Sequence, residues 1–158
     1  MDIKPITQLL KELGRVALRD GQGHAFELIS QERWNAQSDQ MESTFLLFDL
    51  FQIRSIAVPF SDVSLDIVDF TTKPLIYHTL ANPNLIDAPI MNGQVRFAMI
   101  KEGDWNKLLF NFGKPVIYQP ITDERRVDID IADKFPLVGR GVKQMFVGPE
   151  GEVKILNG

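Results

Sequence analysis

The sequence predicts an α+β fold: a mainly antiparallel sheet of short strands, an N-terminal amphipathic helix, and a second helix near 104–113. Three observations carry this. Two stretches have apolar residues at the helical period. At least seven short runs alternate polar with apolar residues or are densely β-branched and aromatic. Hairpin-length links rich in Gly, Asn and Pro separate those runs, and no regular strand–helix–strand alternation appears. A chain of 158 residues with 44% apolar and 24% charged residues is expected to form one globular domain, 1–158.

The first helix is expected over Ile6 to Leu18. Ile6, Leu9, Leu10, Leu13, Val16 and Ala17 share one face, and Pro5 suits the first turn. Asp20-Gly21-Gln22-Gly23 is expected to stop it. His24 to Ile29 then reads as a strand. Phe45 to Phe60 is the apolar centre of the chain, with eleven apolar residues of sixteen and four Phe. A segment of this kind belongs in a core. Its period fits a helix at Phe45, Phe48 and Gln52. Its Phe, Ile and Val density and the Pro59 stop favour a strand, bent near Gln52 and hairpin-paired with residues 24–34.

Val63, Leu65 and Ile67 alternate with Ser64 and Asp66, as in a half-buried strand. Leu75 to Leu80 suits a short helix or strand. Asn92-Gly93 is a hairpin signal, with Gln94 to Ile100 as the strand leaving it. In the second helix Trp105, Leu108, Leu109 and Phe112 fall on one face, between an Asp104 cap and a Gly113 stop. Val116 to Tyr118 and Val127 to Ile131 read as strands. Gln144 to Val147 and Glu152 to Leu156 flank Gly148-Pro149-Glu150-Gly151 as a closing hairpin.

Composition excludes several chemistries. There is no cysteine, so disulfides, thiol catalysis and Cys-based metal sites are ruled out. Two histidines, His24 and His78, do not make a three-His site. A net charge of −4 argues against nonspecific nucleic-acid binding, which needs clustered Lys and Arg. No basic-then-apolar leader and no run of about 20 apolar residues is present, so a cytoplasmic protein without a membrane partner is expected.

Four groups are candidate sites. Asp128 and Asp130 share a strand face, with Asp123, Glu124 and Asp133 nearby. Carboxylates two apart on a strand lie roughly 6.5–7 Å apart and suit a shared cation or divided acid and base roles. Asp128, Asp130 and Asp133 are therefore the metal candidates, and Asp128, Asp130 and His78 the catalytic ones. The same alternation is also what a one-sided sheet requires, and Arg125 and Arg126 stand ready to neutralise the acids. Glu152-Val153-Lys154 has the acid-x-Lys form of half a metal-dependent nuclease site, without an identifiable second acid. Val138-Gly139-Arg140-Gly141-Val142-Lys143 offers an Arg and backbone N–H groups to an anion, or is a plain turn. His24 and His78 are each a general base or a packed side chain.

Leu80 to Ile90 reads Leu-Ala-Asn-Pro-Asn-Leu-Ile-Asp-Ala-Pro-Ile. It resembles the Asn-Pro-x-Leu-Ile-x-Arg-Pro loop of the arsenate-reductase-like relatives of thioredoxin. Ala88 stands at the Arg position, and the cysteine nucleophile of that family has no counterpart. The likeness carries no role over to this chain.

The sum is a soluble binding or structural protein that uses no cofactor, a subunit of a homo-oligomer or larger assembly through self-association or a protein partner. Its excess Phe, with Trp34, Arg54 and Trp105, suits an interface. The alternative is a carboxylate-based enzyme, either a divalent-metal hydrolase or an acid–base catalyst on a small molecule.

Overall fold

A computed structural model describes residues 1–101, 103–137 and 142–157. In chain order the elements are α1 (Lys4–Leu13), β1 (Arg15–Arg19), β2 (Ala25–Ser30), β3 (Thr44–Leu47), α2 (Ile53–Ile56), α3 (Asp62–Phe70), β4 (Ile76–Leu80), β5 (Gln94–Met99), α4 (Gly103–Phe112), β6 (Val116–Pro120), β7 (Ile129–Asp130), β8 (Gln144–Val147) and β9 (Val153–Asn157). The strands form one sheet in the order β7-β1-β2-β6-β3-β5-β4-β8-β9.

The sheet is mixed, which corrects the expected mainly antiparallel arrangement. β1 runs parallel to β7, β3 to β5, and β4 to β8. The remaining neighbours are antiparallel. A parallel pair cannot be closed by a two-residue turn. Helices or long loops therefore join the partners, and turn signals in the sequence do not reveal them.

Both faces of the sheet are packed. On the first face α1 and α4 cover Val16, Leu18, Phe26, Leu28, Leu46, Val116 and Tyr118. Phe135 lies over these strands, stacked at 4.5 Å on Phe26 and 4.9 Å on Tyr118 and edge-on to Trp105. On the second face α2 and α3 cover Ile29, Phe45, Leu47, Tyr77, Val95, Phe97, Ile117 and Val147. Each fully buried side chain of this size stabilises the fold by about 1.5–3 kcal/mol.

Three elements differ from expectation, each for a local reason. The first helix ends at Leu13, because Gly14 takes φ +76° and its N–H caps Leu10 O at 3.0 Å. Val16, Ala17 and Leu18 then continue as β1, and Asp20 to Gly23 makes the turn into β2. The apolar centre divides after Leu47: Asp49 accepts from Gln52 N and starts a short helical stretch that leads into α2. β3 is bonded to β5 and β6, so it forms no hairpin with residues 24–34. Residues 62–70 are helix, not strand. The Ser61 hydroxyl accepts from Ser64 N, and Ser64 and Val68 are the residues α3 buries.

Other expectations hold. α4 ends at Gly113, with φ +79° and N–H to Leu109 O. Asn92 and Gly93 both have positive φ in a tight turn that pairs Met91 with Gln94. β8 and β9 form the closing hairpin.

Candidate functional site

The two helices of the first face leave its far half bare. In β5, Val95, Phe97 and Met99 enter the second core; in β4, Tyr77 does. Strand alternation therefore turns Gln94 and Arg96, and His78, toward the first face. His78 and Arg96 are direct partners across the β4–β5 ladder. On the other side of β4, His78 is paired with Phe146 of β8. No helix packs over this end, and a shallow cavity of about 160 Å³ opens there. Met41, Pro89, Met91 and Asn92 wall it, with His78, Gln94 and Arg96 as its polar floor.

The electrostatics of this floor are positive and unneutralised. Arg96 donates one bond, from Nη1 to Glu42 O at 3.3 Å. It has no carboxylate partner among the described residues. A guanidinium carries five N–H donors, so most of its fork is available to a ligand. His78 Nε2 lies 2.7 Å from Gln144 Oε1. Burial pushes the His78 imidazole below its ordinary 6.5; the Gln144 bond opposes this, and the Arg96 charge adds to the lowering. The imidazole is neutral at pH 7. An anion seated between His78 and Arg96 favours its protonated form, because it screens the guanidinium and accepts the new N–H.

The other candidates lie elsewhere. Asp128 and Asp130 are at the opposite edge of the sheet, with five strands between β7 and β4. Asp128 Oδ2 accepts from Ala17 N at 2.8 Å, and its own N–H bonds Ala17 O. It fastens β7 to β1. Asp130 is exposed, 3.6 Å from Arg19. Asp133 lies 3.7 Å from the Met1 amino group. Asp123 is paired with Arg125, which holds its carboxyl below the ordinary carboxylate range, and Glu124 is exposed. His24 lies 3.4 Å from Asp20 beside the β1–β2 turn. No group of three His, Asp or Glu able to hold a metal ion occurs among the described residues. Glu152 and Lys154 flank Val153 on an exposed edge strand. Val138 to Gly141 lie outside the described residues.

A second polar cluster is built differently. Glu27 is buried on β2 and accepts from Arg15 Nη1 at 3.2 Å and from Gln119 Nε2 at 3.0 Å. Arg15 also reaches Asp39 Oδ2 at 2.8 Å, and the same oxygen accepts from Asn35 N. Gln119 Oε1 accepts from Gln40 N and from the Ser43 hydroxyl. Each of these charges is paired within the cluster, so this network ties the 31–43 loop to the sheet.

Sequence reasoning found His78 and missed Arg96, Gln94 and Gln144. The alternation of Gln94 and Arg96 with Val95 and Phe97 was a visible signal of a half-buried strand. The pairing of that strand with β4 is what turns the signal into a site.

No family model matches this chain, and no curated protein matches it by sequence. Solved structures do match in fold. Full-length HypF in its phosphate- and nucleotide-bound form is 12% identical with a TM-score of 0.66 over 97% of this chain and 28% of HypF. E. coli YciO is 10% identical with a TM-score of 0.70, over 98% of this chain and 87% of YciO. P. abyssi Sua5 complexed with L-threonine is 11% identical with a TM-score of 0.71, over 98% of this chain and 53% of Sua5. The chain thus spans about a quarter of HypF and half of Sua5. The mixed sheet resembles the Sua5/YrdC domain, and identities this low speak for the fold alone. No helix among the described residues is long and apolar enough to cross a membrane.

Proposed function

We propose that this protein binds a small anionic ligand on the bare half of its first sheet face, through Arg96 and His78. The observation that carries the reading is the Arg96 guanidinium. It sits half-buried beside an imidazole, in a cavity, without an acidic partner among the described residues. An arginine held there without a function would lose hydration and gain little.

Size narrows the ligand. A cavity of about 160 Å³ is below the roughly 300–1,000 Å³ that encloses a drug-sized molecule. It accepts a phosphate or a carboxylate headgroup, with the rest of a larger ligand lying across the open strands. Two of the similar structures were solved with ligands of this kind: HypF with phosphate and nucleotide, Sua5 with L-threonine. The binding reading from sequence thus acquires a chemical class, and assembly into an oligomer is a separate proposal.

Calorimetric titration with inorganic phosphate, ATP and L-threonine tests this. At least one is expected to bind, at least tenfold more weakly to Arg96→Ala. Affinity is expected to rise as pH falls from 7.5 to 5.5, because bound anion raises the proton affinity of His78; His78→Gln is expected to flatten that slope. Equal binding by Arg96→Ala, or no binding of any of the three at millimolar concentration, overturns the reading.

A further inference from the structure

On the opposite face, beyond the C-terminus of α3, lies a groove of about 540 Å³. Phe70, Leu75, Met145 and Ile155 supply its apolar walls, and Lys73 and Lys143 are its charged residues. No acid lines it, and neither lysine has a carboxylate partner among the described residues. Phe70 is 80% exposed and Ile155 61%, an unusual placement for large apolar side chains at one spot.

The groove runs into the open edge of the sheet. Among the described residues β9 pairs with β8 alone. Gly148 N donates to Glu152 O at 2.8 Å, so Glu152 and Lys154 turn their backbone groups toward β8. By alternation Val153 and Ile155 present theirs outward. Residues 152–156 are exposed on both faces of the strand. Such an edge is a template for another strand unless something blunts it, and Lys154 is the one charged residue within β9.

We infer that the β9 edge and this groove together dock an extended partner segment whose groove-facing residues, at every second position, include both apolar and acidic side chains. The segment adds a strand to β9 through the outward groups of Val153 and Ile155. Its apolar side chains cover Phe70 and Ile155, and its carboxylates meet Lys73 and Lys143. Charge selects this occupant over a second copy. A second copy paired through β9 offers Lys73 and Lys143 no acid from its own groove to answer them.

The probe is a fluorescein-labelled decapeptide with valine, glutamate, phenylalanine, glutamate and valine at successive odd positions and threonine between them, read by anisotropy against the same peptide with lysine for glutamate. The glutamate peptide is expected to bind at least tenfold tighter than the lysine peptide. The double variant Lys73→Glu/Lys143→Glu is expected to reverse that preference. Val153→Pro deletes an outward N–H while sparing the β8 ladder, and is expected to weaken binding at least fivefold. If thermal melts show Val153→Pro unfolded, the charge-reversed variant decides. Equal binding of the two peptides, or none at millimolar concentration, overturns the inference. So does light scattering that shows a dimer abolished by Val153→Pro, which makes a second copy the occupant.

Discussion

The two halves of the first sheet face share strands of the same kind and differ in what covers them. Over β1, β2 and β6, helices α1 and α4 and the Phe26–Phe135–Tyr118 stack cover the strands. Over β4, β5 and β8, Arg96 and His78 stand at an open cavity. The charged residues divide in the same way. Arg15 faces two carboxylates, Glu27 and Asp39; Arg96 faces none among the described residues. A charge fully answered within the chain holds the structure together, and a charge left unanswered is poised for something from outside.

Substitutions sharpen this contrast. Phe135 is fully buried and touches three other rings, so Phe135→Ala is expected to cost about 4 kcal/mol in urea denaturation. Glu27→Ala leaves Arg15 and Gln119 with a lost partner. About 3 kcal/mol is expected, the low end of the range for a wholly buried pair, because the Arg15 side chain is one-third exposed. A loss under about 1 kcal/mol would mean that the network is not what secures the covered half.

Asp20 offers a test by pH. Its buried carboxylate accepts from Gln22, His24 and Phe135 backbone N–H groups. Burial alone raises its pKa, and those N–H bonds outweigh it, so the folded value lies below the ordinary 3.8. Its contribution to stability is therefore complete above 3.8 and is lost as acid protonates the folded carboxyl. Asp20→Asn is expected to cost about 2 kcal/mol at pH 7, with the gap to the parent narrowing in urea melts taken below pH 3.8. A gap independent of pH would remove the carboxylate charge from the account. At the other extreme, Arg96→Ala is expected to change stability by about 0.5 kcal/mol or less while abolishing anion binding. A large destabilisation there would make Arg96 a structural residue and erase the contrast between the halves.

What the sequence disclosed follows from the range of each interaction. α4, the Asn92-Gly93 turn and the β8–β9 hairpin are written in neighbouring residues, and all were legible. α3 is disguised in the sequence because Val63, Leu65 and Ile67 mimic a strand. Val63 is in fact exposed, and the local evidence was the Ser61 cap. β1 reads as part of the first helix because Val16 and Ala17 extend its apolar face, although Gly14 is a stop signal within that stretch. The mixed sheet was not legible at all. Whether Leu18 lies beside Ile129, or Phe45 beside Phe97, depends on packing between segments far apart in the chain. The site inherits that obscurity: His78 was visible as a residue, and its Arg96 neighbour exists only once β4 and β5 are aligned.

The partners of the N-terminal hairpin have a further consequence, in time. β2 is flanked by β1 and β6, and β1 by β7, so residues 15–30 are completed only by residues 116–130. A ribosome adding roughly 5–20 residues per second takes several seconds to cover that distance. Through this interval the nascent hairpin waits with open edges, a liability that slow, long-range strand pairing imposes and that chaperones exist to manage.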